Sequence, residues 1–433
     1  MHAPALAFVA APTPALSPQA GRGSAPHPLP ASGGGSTPTL SPTSVGRGRR
    51  YADMIPKLPP DMRTPAYVLD VAALRRNLAK AGRIRREAGA KLLLATKAWA
   101  MPAAFPLLRE AVDGTTASGE HEARLGREEL GKEVHVYAPA YTEREVEALT
   151  GLADHIYFNS PEQLARFLPI VRRGPGISVG IRVNPGYSNA TLGGALYDPC
   201  APYSRFGTLP ADLDALPWEE IDVFHVHVLC ESPADGSVGL VRHVASRFAP
   251  YLRRVKAVNF GGGHFIGKPD YDVAALIEAI RTFRAEFGAE VILEPGAGLV
   301  VDAGYLVASV IGLHRNEKSI AILDASASCH MPDVLEVPYR PPLLGAGEPG
   351  ATPYTYILGG KTCMTGDIIG EYSFPAPLAV GDRLIFGDMM QYSFVKSTTF
   401  NGTPLPDLAV LGEDGSYRVV RAFGYDEFRR RLG

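Results

Sequence analysis

The sequence predicts an α/β protein: a closed (β/α)8 barrel of the TIM type, followed by a C-terminal, mostly β domain. Three observations lead there. Eight short apolar runs alternate with helically spaced stretches over about 200 residues, the signature of a parallel sheet closed by repetition. Beyond residue 305 helical periodicity fades, and Gly and Pro turns divide short β runs. At 433 residues the chain is too long for one ordinary compact domain and suits a barrel with an appendage. A doubly wound open sheet is the alternative architecture.

In chain order, residues 1–50 stand apart. They hold nine prolines and the run Gly33, Gly34, Gly35, and no acidic residue precedes Asp53. Such a segment cannot bury enough apolar surface to offset chain entropy and is expected to be a disordered tail. Its composition leaves organelle import open, although the proline density opposes a targeting helix. Residues 64–71 read as a strand that precedes the barrel helices and could join the β domain. Barrel strands are expected at 92–97, 112–116, 134–138, 155–159, 177–184, 223–229, 255–260 and 291–294. Helical patterns lie between them near 102–110, 119–130, 143–150, 161–172, 212–220, 237–254 and 272–287. The barrel thus spans 64–305. The β domain, 306–433, carries runs at 305–313, 319–324, 354–359, 383–386 and 407–410.

Lys plus Arg number 43 and Asp plus Glu 45, a net charge of −2. No broad basic face follows, so neither nucleic acid nor an anionic membrane is an expected partner. No apolar run reaches the ~18 residues of a membrane span. Cys200, Cys230, Cys329 and Cys363 are scattered, with no C-x-x-C pair. This disfavours a disulfide framework or structural zinc and suits a reducing, cytoplasmic setting.

In a (β/α)8 barrel the chemistry collects at the C-terminal strand ends. There the sequence places Lys97, Ser118, Arg182, His225, His227, Cys230, Glu231, the turn Gly261, Gly262, Gly263, and Glu294. Consecutive glycines after a strand let backbone N–H groups close on a phosphate. A lysine can form a Schiff base, an aromatic ring can stack on a flat cofactor, and a carboxylate can hold a heterocyclic N–H. Together these are what pyridoxal phosphate requires. Metal binding by His225 and His227, which share a strand face, is the competing reading; no acidic ligand accompanies them in the run.

The ordered set ATKA (Lys97), TTASGE (Ser118), IRVNP (Arg182), HVHVLCE (His227), NFGGGH, EPG (Glu294) and GGKTCMTGD (Cys363) resembles the fold-type III pyridoxal-phosphate decarboxylases. Within them, HVLCE, the stretch from Asp324 through CHMPD (Asp333), PYRP and TCMTGD are most similar to the carboxynorspermidine (carboxyspermidine) decarboxylases. The resemblance covers residues 64–412. It implies decarboxylation of carboxynorspermidine or carboxyspermidine to norspermidine or spermidine in polyamine biosynthesis. Lys97 would hold the cofactor and His227 would stack on its ring. Glu294 would pair with the ring N–H. Gly261, Gly262, Gly263 and Tyr392 would hold the phosphate, with Ser118, Arg182 and Cys230 also at the cofactor. Cys363 would arrive from the second subunit of a homodimer as the acid that reprotonates the substrate carbon. Glu231, Glu294, Asp324, Asp333 and Asp367 would meet the substrate, and no metal is called for.

Ala297 and Met364 stand where ornithine decarboxylases carry an arginine and an acid, and Ala297 also departs from the diaminopimelate enzymes. The rivals are diaminopimelate or another basic amino-acid decarboxylase, a racemase, and a non-catalytic binding protein. A racemase would want a tyrosine as its second base. Retention of both Lys97 and Cys363 speaks against loss of chemistry.

Overall fold

The computed structural model describes residues 55–174, 176–189 and 197–433; the expected tail, 1–50, lies outside them. A first strand, β1 (Ala66–Asp70), hands directly to helix Val71–Ala88. Asp70 caps this helix by accepting from the Ala73 amide, and Gly89, in the left-handed region at φ 64°, ends it.

Eight parallel strands then close a barrel: β2 (Lys91–Ala95), β3 (Gly114–Ala117), β4 (Glu133–Tyr137), β5 (His155–Phe158), β6 (Ser178–Arg182), β7 (Val223–His225), β8 (Ala257–Asn259) and β9 (Glu290–Leu293). Closure is made by β9 pairing with β2, Leu293 opposite Leu92. Several strands are shorter than the apolar runs, because the chain leaves the sheet where it reaches the mouth. The expected helix at 212–220 is instead two 3-10 turns, Pro210–Ala215 and Trp218–Glu220, each entered next to a proline.

The remaining strands are β10 (Gly304–Asn316), β11 (Lys318–Leu323), β12 (Tyr354–Gly359), β13 (Ile368–Phe374), β14 (Arg383–Gly387), β15 (Asp407–Leu411) and β16 (Tyr417–Arg421). They form one mixed sheet, ordered β13-β12-β11-β10-β1-β15-β16 with β14 also on β10. The first strand of the chain is therefore central to the last sheet, antiparallel to β10 and parallel to β15. Two strands, β13 and β16, were not legible as runs. Gly370 lies within β13 where Arg340 packs across it, and Arg340 donates to the Glu371 carbonyl at 3.0 Å. The β16 strand is a largely exposed edge.

Inside the barrel, Leu93, Tyr157, Val223, Ala257 and Ile292 pack into one layer. The polar residues of the site stand above it, at the C-terminal strand ends.

Candidate active site

Two adjoining cavities open in the barrel mouth, and Lys97, His227 and Glu294 line both. Lys97 follows β2 and enters this space; its side chain is accessible from the cavity although protein surrounds it closely. Burial lowers its pKa, against the pull of Glu294, and so favours the neutral, nucleophilic amine. Its Nζ lies 3.5 Å from His227 Nε2.

His227 sits just past β7, and its Nδ1 accepts the Gly262 N–H at 3.1 Å. Burial, reinforced by Lys97, pushes His227 down to about 3, and His225 likewise, so both imidazoles are neutral at pH 7. Glu294 is almost wholly enclosed. Burial opposes its charge, but His227, His225 and Asn259 around it hold its pKa well below the usual carboxylate range. Because Gly262 occupies Nδ1 of His227 and the imidazoles are neutral, the firm donor to Glu294 is the Asn259 amide, at 2.8 Å.

Arg182 ends β6 in a sandwich, its guanidinium 4.6 Å from the Tyr137 ring centre and 4.5 Å from that of Phe206. It donates to the His227 carbonyl at 2.7 Å and so steadies the segment bearing that ring. Arg182 and Ser118 line the smaller cavity. Cys230, Glu231, Gly262, Gly263, Tyr392 and Ala297 line the larger one, together with Phe265 and Gly298, which carry no signal in the sequence.

The three glycines are not equivalent. Gly261 gives its N–H to Asn259 Oδ1 and Gly262 gives its own to His227. Gly263, Gly296, Ala297 and Gly298 also line the larger cavity. Gly263 takes φ 86°, and a Cβ there would fall 2.1 Å from the Leu229 carbonyl oxygen.

The acidic candidates disperse. Glu231 faces the mouth, where burial raises its pKa. Asp333 is paired with Lys396 at 2.6 Å. Asp324 accepts from the Thr64 hydroxyl and the Ser309 amide. Asp367 is buried and takes donors from Ser326, Ser328 and Thr362, pinning the loop that carries Cys363. Cys363 itself is exposed and lines neither cavity of its own barrel.

Ligand atoms of His225, His227 and Glu294 also converge closely enough for a metal, the fold supplying the acid that the HVH run lacks. Yet Gly262 already fills Nδ1 of His227, and Lys97 faces its Nε2. The whole donor set fits pyridoxal phosphate better. It offers an amine inclined to be neutral, a buried carboxylate, an imidazole face and glycine-built backbone at the edge of the cavity. A (β/α)8 barrel with that mouth and a β domain on its flank defines a pyridoxal-phosphate-dependent decarboxylase. Residues 66–390 match the family model described as pyridoxal-dependent decarboxylase, C-terminal sheet domain, and the chain belongs to this family.

Among its relatives, a carboxynorspermidine/carboxyspermidine decarboxylase of Campylobacter jejuni is 37% identical over 86% of this chain and 98% of its own length. A carboxyaminopropylagmatine decarboxylase of Synechocystis is 40% identical over 86% of this chain and 95% of its own. The crystal structure of carboxynorspermidine decarboxylase from Campylobacter jejuni, complexed with norspermidine, superposes with a TM-score of 0.79. It is 36% identical and matches 86% of this chain and 100% of that one.

Proposed function

We propose that this enzyme decarboxylates carboxynorspermidine and carboxyspermidine, releasing norspermidine and spermidine. The observation that carries the reading is the grouping of Lys97, His227, Glu294 and Glu231 around one mouth, in a chain that matches relatives of that name almost end to end. The Synechocystis relative favours a second reading, carboxyaminopropylagmatine, which would place a guanidinium where the first has an amine. Carbon dioxide release from these three substrates, beside diaminopimelate, ornithine and arginine, separates the readings. Turnover confined to the last three would reject both.

When bound, pyridoxal phosphate supplies a conjugated ring that accepts electron density from the substrate's α-carbon as carbon dioxide leaves. The protein's residues do the rest. Lys97 would hold the cofactor covalently, and His227 would lie against its ring. Ionised Glu294 would hold a proton on the ring nitrogen. The Gly263 and Ala297–Gly298 backbone and Tyr392 would hold the phosphate. Glu231 reads a remote ammonium: burial disfavours its carboxylate, and a cation beside it would restore the charge. Asp324, Asp333 and Asp367 each have protein partners within this subunit and are weaker candidates for that role.

Cys363 donates the proton that replaces carbon dioxide on the α-carbon. It does so from a second copy, in a two-fold dimer with shared sites. Supporting this, Cys363 lies on an exposed loop beside exposed Met364 and Ile368. Four free cysteines favour a cytoplasmic setting; among the described residues no helix is long and apolar enough to cross a membrane.

A further inference from the structure

A column of hydrogen bonds runs down the inside of the barrel from Glu294 to the opposite end. Asn259, the last residue of β8, is wholly buried. Its Oδ1 accepts the Gly261 N–H at 2.8 Å, which fixes the amide orientation and turns Nδ2 toward Glu294 Oε1 at 2.8 Å and Tyr157 Oη at 3.3 Å. Burial and the nearby Glu294 raise the Tyr157 pKa, so the phenol keeps its proton. With its oxygen accepting from Asn259, Tyr157 donates to His135 Nδ1 at 2.6 Å. That leaves the His135 proton on Nε2, where it faces Glu133 Oε2 at 3.1 Å. Glu133, half-exposed at the N-terminal rim, is held down to about 2 by this His135 hydrogen bond and by Lys91. Every donor direction in the column is thereby set.

The packing makes room for it. A Cβ on Gly180 would fall 2.1 Å from Cδ1 of Tyr157, so only glycine at that position in β6 admits the ring. A barrel interior is ordinarily filled by branched apolar side chains. Here two anionic ends are joined through an imidazole, a phenol and an amide. Were Asn259 free to turn, its carbonyl would meet the Glu294 carboxylate and repel it.

We infer that Asn259, Tyr157 and His135 are positioning residues that orient Glu294 toward the ring nitrogen of the cofactor. Asn259 also ties that carboxylate to the glycine turn, so that the two ends of the cofactor site are set together. The inference rests on the cofactor reading and not on the identity of the substrate.

The test is a double-mutant cycle between Tyr157→Phe, which removes one hydroxyl, and Glu294→Gln. It is read by the cofactor's dissociation constant and visible absorption band, and by kcat and KM. Loss of the hydroxyl, and with it the two hydrogen bonds to Asn259 and His135, is expected to weaken cofactor binding by about threefold to tenfold and lower kcat by a similar factor, with KM nearly unchanged. In the Glu294→Gln background the same change should have less than about a twofold effect, because the group it acts through is gone. Equal losses in both backgrounds would assign Tyr157 to core packing alone, and an unaltered band and affinity in the single variant would overturn the inference. Should Tyr157→Phe fail to fold, the same cycle with His135→Gln decides from the other end of the column. If none of the substrates is turned over, cofactor affinity and absorption still give the answer.

Discussion

The Lys97 amine stands 3.5 Å from Nε2 of His227. The two come from β2 and the end of β7, three strands apart through β8 and β9, and meet only because the sheet closes. Burial holds His227 down to about 3, so it is neutral at pH 7 beside the buried, ionised Glu294.

Lys97→Ala should abolish covalent cofactor attachment and lower turnover by more than about a thousandfold, since proximity of the attaching amine is lost. Absorption spectroscopy and mass analysis after borohydride treatment check this. A yellow variant labelled elsewhere would contradict the assignment.

Glu294→Gln should still bind the cofactor but turn over at least about a hundredfold more slowly. A neutral amide cannot stabilise the ring proton, and a lost charged hydrogen bond is worth roughly 1.5–3 kcal/mol even in the ground state. Near-normal kcat would overturn the role.

Gly263→Ala should weaken cofactor binding by about tenfold or more, because its φ of 86° and the Leu229 carbonyl leave no room for a Cβ. Titration of the apoprotein with pyridoxal phosphate measures it. Unchanged affinity would show that the phosphate lies elsewhere.

Stability should fall with acidification. Burial holds His155, His225 and His227 down to about 3, and His264 and His330 down to about 4. Unfolded histidines take up protons near pH 6.5. Between these limits the unfolded chain binds more protons, so stability rises with pH and is lost as pH drops below 6.5, by at most about 1.4 kcal/mol per unit per histidine. Depressed Glu133 adds its loss only as pH falls below about 4.3, toward its folded value near 2. Asp388 acts the other way over this range, since burial raises its carboxyl to about 7, but one carboxyl is outweighed by five histidines. Urea midpoints at pH 7, 6 and 5 should decline in order; a flat series would refute buried neutral histidines.

Mixing inactive Lys97→Ala with inactive Cys363→Ala should restore about a quarter of wild-type activity when subunits exchange freely. Half the subunits then reside in heterodimers, each with one intact site. No recovery despite demonstrated exchange would place Cys363 in its own subunit's site.

The sequence alone determined the barrel, because eight apolar runs at regular spacing have few other ways to bury both faces of a parallel sheet. It also marked Lys97, His227, Glu294 and the glycine turn, since residues at strand ends in a barrel converge wherever the strands lie. Tertiary structure decided what spacing cannot express. Asp333 and Asp367 read as free acids until Lys396 and the Ser326–Ser328 turn are seen to claim them. The glycines read as three phosphate donors until Asn259 and His227 are seen to use two. Tyr157 and Asn259, 102 residues apart, carry no shared motif. Their hydrogen bond exists because β5 and β8 face each other across a closed lumen, where a buried polar atom must find its partner from another strand.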